Sequence, residues 1–164
     1  MSQPAPDGSP RPRRSLVGRR PELPPRRTQH QTVTALAGVG LFSDFSKRHL
    51  GRLAKEADEL AFGPGEAIVE EGAPGETLFI VLSGSGKVVR KGRRVGGVVP
   101  GDFFGELSAL DGGPRTASIL AETPVRVLRL FRHTLLALLR DEPHLTLKIL
   151  EGIVRRIRDV DRRL

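Results

Sequence analysis

The chain has 164 residues, with 27 Lys and Arg against 19 Asp and Glu, a formal net charge of +8 and 38% apolar residues. That length and composition allow one ordinary domain with tails and one sizeable core. The absence of Cys excludes disulfides, thiolate metal sites, iron–sulfur clusters and cysteine nucleophiles, and with no Trp or Tyr and only seven Phe an aromatic platform that stacks single-stranded nucleic acid is not expected.

The charge sits at the two ends. Residues 1–30 carry seven Arg and two acids, residues 144–164 carry six basic residues and three acids, and the residues between them sum to zero. The first segment also holds seven of the thirteen Pro and no aromatic residue. It cannot bury enough surface to offset its ordering entropy, so it reads as a disordered basic leader, suited at most to a weak electrostatic contact with a polyanion. The twin Arg13-Arg14 is not followed by the apolar stretch of an export signal. No run of about 18 apolar residues marks a membrane span. With no Cys either, a cytoplasmic location is expected.

The remainder, 31–164, reads as one folded unit. Order is expected from near Thr32. Leu41, Phe42 and Phe45 precede Ser46, a candidate N-cap, and Leu50, Leu53, Ala54, Ala57 and Leu60 recur at helical spacing. An N-terminal helical segment is therefore predicted over 31–64, its helix ending near Leu60. From Gly65 to Phe131 short β-rich runs alternate with Gly and Pro turns. Candidate strands are 67–70, 77–82, 87–90, 94–99, 116–121 and 125–130. This spacing predicts an antiparallel β-roll, a jelly-roll-like double-stranded β-helix. The apolar run Leu78-Phe79-Ile80-Val81-Leu82 suits a strand covered on both faces. Two helices close the chain over 132–164. The first, Thr134 to Arg140, stops before Asp141-Glu142-Pro143. The second starts at His144 and carries Leu150, Ile153, Ile157, Val160 and Leu164 at heptad spacing. That seam suits a homodimer through 144–164, or packing on its own barrel. Gly152 within it costs about 1 kcal/mol against Ala and marks a bend or a close-packing point.

Chemistry concentrates in one interruption of the β region, Gly101 to Ser118. A glycine, Gly105, opens a short helical turn whose exposed N–H groups can receive an anion, and it lacks the Cβ that would hold a ligand off the backbone. Arg115 follows a Gly-Gly-Pro turn and offers a planar fork of donors suited to phosphate oxygens. Glu106 would repel a phosphate and better accepts hydrogen bonds from hydroxyls, such as those of a ribose. Together these groups describe a pocket for a sugar-phosphate, and no nucleophile–base pair or metal cluster points to an enzyme. Blander readings stand beside this one. Arg115 and Glu106 could form a structural salt bridge, Ser108 could be satisfied locally, and Thr116 could simply open a strand. His30, His49, His133 and His144 have no metal spacing.

These strings resemble the cyclic-nucleotide-binding domain of bacterial catabolite activator proteins, protein kinase A regulatory subunits and cyclic-nucleotide-gated channels, from about Leu41 to Leu164. Phe104-Gly105-Glu106-Leu107 with Pro114-Arg115-Thr116-Ala117 looks like that family's phosphate-binding cassette, here 104–117. Pro64-Gly65-Glu66, Glu71-Gly72, Gly75-Glu76, Leu82-Ser83-Gly84 and Pro100-Gly101-Asp102 fall where the family has turn glycines and acids. The resemblance implies that Arg115 pairs with the cyclic phosphate and that Glu106 bonds the ribose 2′-hydroxyl. It further implies that the N–H groups of Gly105, Leu107 and Ser108, with Thr116, complete the shell. Val89, Phe103 and Phe104 would wall the base, and the last helix would act as its lid. The lid position that carries a base-bonding hydroxyl in catabolite activators aligns near Val160 and Asp161, where this chain departs from the pattern. The expected ligand is a cyclic nucleotide, cAMP ahead of cGMP, with no further cofactor. Catabolite activators carry a helix-turn-helix after their long helix, and since the sequence stops at Leu164, no specific DNA binding is expected. The rival readings are a ligand-free scaffold that dimerises through its last helix, and the sensor part of a longer transcription regulator.

Overall fold

The computed structural model describes residues 28–162, without the side chain of Val160. The leader through residue 27, Val160 as a lid residue, and Leu164 of the predicted seam lie outside the described residues. The chain starts in helix α1 (Gln29–Ala37) and passes through a 3-10 turn (Gly40–Phe42) into α2 (Lys47–Glu56). Eight strands follow: β1 (Asp58–Phe62), β2 (Ala67–Val69), β3 (Thr77–Ser83), β4 (Gly86–Arg90), β5 (Arg93–Val98), β6 (Phe103–Phe104), β7 (Ser118–Ala121) and β8 (Val125–Phe131). Helix α3 (Glu106–Asp111) lies between β6 and β7, and α4 (Arg132–Asp141) and α5 (Pro143–Arg162) end the chain. Among the described residues no helix is long and apolar enough to cross a membrane.

The strands form two four-stranded antiparallel sheets, ordered β1-β8-β3-β6 and β2-β7-β4-β5, the predicted β-roll. The place of β3 explains why its run Leu78–Leu82 is apolar at every position. Leu78 and Ile80 face a core shared with the helices, including Leu53, Leu135, Leu138 and Leu145. Phe79 and Val81 face the interior of the roll, with Leu60, Ile119, Val125 and Val127. Successive strand residues point to opposite faces, so a strand buried on both sides loses the alternation that marks a half-exposed one.

Three elements differ from the sequence reading. Helix α1 begins at Gln29, three residues before the expected onset of order, because Thr28 and Gln31 make a reciprocal capping box. Helix α2 stops at Glu56, and Leu60 belongs to β1, which pairs with β8 from Asp58↔Arg129 to Phe62↔Val125. The β-roll therefore starts at Asp58 instead of Gly65. Leu60 satisfied the helical spacing by coincidence. Its burial in the roll and the cross-strand pairs Arg129–Asp58 (2.8 Å) and Arg126–Glu59 (3.3 Å) fix the extended form. Finally, the two-residue strand β6 forms only because β3 offers Phe79 and Ile80 as partners.

The predicted seam of α5 also divides. Leu145 and Ile149 are buried, with Ile153 packed against the same cluster. The apolar line that α5 leaves exposed is Leu147, Leu150, Val154 and Ile157, at 54%, 54%, 41% and 56% exposure. Leu150 and Ile157 of the expected seam thus face outward, while Ile153 faces the core.

The two-sided packing of β3 is testable. Ile80→Ala is expected to lower the unfolding free energy by about 2–5 kcal/mol through the cavity it leaves, read from the midpoint of urea denaturation.

Candidate functional site

Phe103 and Phe104, adjacent in β6, face opposite ways. Phe103 joins the helix-side core, whereas Phe104 joins the interior of the roll, its ring 5.3 Å from that of Phe79. The two therefore cannot line a single wall. At Gly105 the backbone enters the left-handed region (φ 82°, ψ 7°) and starts α3. A Cβ at this position would lie 2.5 Å from Arg115 Nη1 and 2.7 Å from the Thr77 carbonyl oxygen, so conformation and space both require glycine. The first intrahelical bond runs from the Ala109 N–H to the Gly105 carbonyl at 3.0 Å, which leaves the N–H groups of Glu106, Leu107 and Ser108 without an intrahelical acceptor.

Arg115 is 6% exposed. Its Nη1 donates to the carbonyl oxygens of Thr77 (2.8 Å) and Gly105 (3.2 Å), and its Nη2 donates to Thr77 Oγ1 (2.8 Å). Its guanidinium carbon lies 5.7 Å from the centre of the Phe79 ring. The main chain is pinned too: the Arg115 N–H donates to the Ala73 carbonyl (3.0 Å), and the Arg115 carbonyl accepts from the Gly72 N–H (2.8 Å). Gly75 makes room, since a Cβ there would overlap the guanidinium. Of the five guanidinium donors, the Nε–H and one Nη2–H remain without a protein acceptor, and they lie along one edge as a planar fork. Burial pushes the Arg115 guanidinium below its ordinary pKa, and the nearby Glu106 carboxylate opposes that shift. Arginine keeps its charge at neutral pH despite such shifts.

Glu106 is 2% exposed, and its Oε1 is ion-paired with Arg156 Nη1 of α5. Arg156 Nη2 also donates to the Phe103 carbonyl, and its guanidinium carbon sits 5.3 Å from the centre of the Phe103 ring. The second oxygen, Glu106 Oε2, is buried without a hydrogen-bond partner. Arg115 and Glu106 are therefore not each other's salt bridge. The arginine is solvated by neutral oxygens, and the carboxylate pairs with a different helix while keeping one acceptor in reserve for a donor.

The remaining candidates fall as follows. Ser108 is buried in α3, and Leu107 is 43% exposed. Thr116 is exposed on a bend two residues before β7, so it opens no strand. Val88, not Val89, packs against the interior cluster that holds Phe79 and Phe104; Val89 alternates to the other face of β4. Asp161 is exposed in the last turn of α5, whereas α5 meets the cassette one turn or more earlier, at Gly152 and Arg156. A Cβ at Gly152 would lie 2.5 Å from Phe103 Cζ, which makes this glycine a close-packing point.

Sequence reasoning missed Thr77, Arg156 and Arg132, whose Nη2 caps the far end of α3 through the Leu110 carbonyl at 3.1 Å. One signal was available. Lys148, Gly152 and Arg156 are four apart and share one stripe of α5. Lys148 Nζ binds the Gly40 carbonyl (3.0 Å), Ser43 Oγ (2.6 Å) and Asp44 Oδ2 (3.1 Å).

Comparison with known proteins is consistent with this geometry. Residues 59–142 match the family described as the cyclic nucleotide-binding domain. The chain is 34% identical over 134 residues to a CRP-like cAMP-activated global transcriptional regulator of Mycobacterium tuberculosis, covering 79% of this chain and 60% of that one. It is 40% identical over 101 residues to a cAMP-dependent protein kinase regulatory subunit of Aspergillus fumigatus, covering 59% of this chain and 24% of that one. It thus spans less than two thirds of either relative. A solved cyclic nucleotide-binding domain from Methylobacillus flagellatus superposes with a TM-score of 0.67 at 29% identity, covering 82% of this chain and 81% of that one.

Arg156→Ala strands the buried Glu106 carboxylate and is expected to lower the unfolding free energy by about 1–3 kcal/mol. The double variant with Glu106→Gln recovers part of that loss, because no charge is left unpaired. Urea denaturation of the two variants beside the wild type measures both effects.

Proposed function

The chain belongs to the cyclic nucleotide-binding domain family, and on that premise we propose that it is a regulatory sensor that binds cAMP in preference to cGMP. The cyclic phosphate lies against the free fork of Arg115 and the N–H groups at the start of α3, including those of Leu107 and Ser108. The ribose 2′-hydroxyl donates to Glu106. The observation that carries this reading is the pairing, in one buried place, of a guanidinium with two unused donors and a carboxylate with one unused acceptor. A phosphate and a hydroxyl are what those two groups lack. The preference for cAMP draws on the relatives described as cAMP-activated and cAMP-dependent.

The signal leaves through α5. Arg156 ties this helix to the carboxylate that takes the ribose, so nucleotide at Glu106 favours one placement of α5 over others. A ligand moves such an equilibrium only through unequal affinity for the two states, and a residue that contacts both ligand site and helix supplies that inequality. Two copies of the chain associate through α5. The line Leu147, Leu150, Val154 and Ile157 repeats at the three-and-four spacing of a helix-to-helix seam and stands exposed among the described residues.

Titration calorimetry with cAMP and cGMP tests the ligand. Submicromolar to micromolar binding is expected for the wild type, weakened at least about 30-fold in Arg115→Ala. Absence of heat with either nucleotide at submillimolar concentration would overturn the proposal. Sedimentation equilibrium tests the dimer: Leu150→Glu with Ile157→Glu is expected to give a monomer that keeps its thermal stability, and an unchanged molecular mass would remove the α5 seam.

A further inference from the structure

β4 and β5 form a hairpin with five cations in eight residues, Lys87, Arg90, Lys91, Arg93 and Arg94, in a stretch without any acid between Glu76 and Asp102. Its turn is Lys91-Gly92, with both residues at positive φ (50° and 74°). This is the two-residue type I′ geometry, whose first position favours Asn, Asp or Gly, and lysine is a poor choice for it. Arg90 and Arg93 stand directly opposite each other beside that turn. Like charges facing across a strand pair destabilise it. The tip therefore keeps its charge against local preference twice over.

The surroundings hold the tip in place without neutralising it. The Lys91 N–H donates to Glu71 Oε2 at 2.9 Å, which fixes the turn, and Arg94 pairs with Glu122 at 3.1 Å. Arg90, Lys91 and Arg93 are exposed, and among the described residues they have no carboxylate partner for their side chains. β7 pairs with β4 only as far as Val89↔Ser118, so residues 90–93 project beyond the sheet. Val95 and Val99 follow along the same strand and its exit, 37% and 55% exposed.

We propose that this tip is a docking surface for a short acidic segment of a partner protein. Charge complementarity sets the sign of the partner, and the footprint sets its class. Glu71 lies against the turn, its Oε2 accepting from the Lys91 N–H, so a continuous polyphosphate crossing the tip would run into that carboxylate. A few acidic residues flanked by apolar ones would meet Arg90, Lys91 and Arg93 and then Val95 and Val99. None of these residues belongs to the nucleotide site, so this inference stands or falls apart from the proposed ligand.

Fluorescence anisotropy on the full chain tests it, with a labelled peptide of alternating Glu and Leu blocks and, separately, a labelled DNA duplex. The peptide is expected to bind, to weaken as salt is raised, and to lose about tenfold or more in affinity in Arg90→Glu. The same variant places a carboxylate opposite Arg93, so its melting temperature should hold or rise. Loss of binding with retained stability separates a docking role from a structural one. The proposal is overturned if the wild type does not bind the peptide, if Arg90→Glu leaves the affinity unchanged, or if the duplex binds in preference to the peptide through the same residues.

Discussion

Arg115 is a cation buried where β3, the turn into α3 and the loop at Gly72–Gly75 meet, and each of those segments is shaped by the need to solvate it. Thr77 supplies a carbonyl and a hydroxyl, Gly105 supplies a carbonyl, and Phe79 supplies a ring face. A buried charge is tolerable only when its donors are matched. All of its hydrogen-bond acceptors are neutral, which has a chemical meaning. A carboxylate bonded to the guanidinium would cancel the charge, whereas neutral oxygens hold the group still and leave its positive field for an anion. The backbone bonds between Arg115 and residues 72 and 73 then lock the loop that precedes β3 to the segment between α3 and β7.

One oxygen of the nearby Glu106 carboxylate is taken by a different partner. Glu106 pairs with Arg156, fifty residues later, and the far end of α3 is bonded by Arg132 of α4. Each of the two C-terminal helices thus holds one end of the six-residue helix that follows Gly105. The same face of α5 carries Lys148, bound to the 3-10 turn near the N-terminus, and Gly152, set against Phe103. One stripe of one helix therefore contacts the N-terminal segment, the strand that leads into the site and its acid in sequence.

How much of this was legible in the sequence depended on the range of the interactions. Gly105, Glu106 and Arg115 stood out because a glycine turn, a short helix and a Gly-Gly-Pro turn are local, and their chemistry is visible at short spacing. Strand β3 was legible as an apolar run and β8 as a β-rich segment after a Pro turn. Leu60 was misread because it fits both a helical and an extended period, and only pairing with β8 decides between them. β6 has no propensity of its own to read, being two residues lent a partner by β3. The choice between Val88 and Val89 rests on strand phase, which a one-residue slip inverts. Arg156 and Thr77 were missed because their partners lie fifty and thirty-eight residues away, and no local pattern encodes that distance. The apolar positions predicted as one seam of α5 divide between two faces, since a helix with apolar residues on two faces does not announce which one the core takes.

Gly152 has a second effect beyond letting α5 approach Phe103. It removes side-chain support from the middle of a twenty-residue helix and loosens the backbone there, by about 0.5–1 kcal/mol relative to alanine. Before it, Leu145, Lys148 and Ile149 anchor the helix to the body of the protein; after it, Ile153 and Arg156 are the inward contacts. The two halves of α5 therefore differ in how readily they open, and amide hydrogen exchange should be faster beyond residue 152 than before it. A helix divided in this way can let go of the acid at the site while its first turns stay docked, so its motion is a fraying from one end and does not require the whole rod to swing.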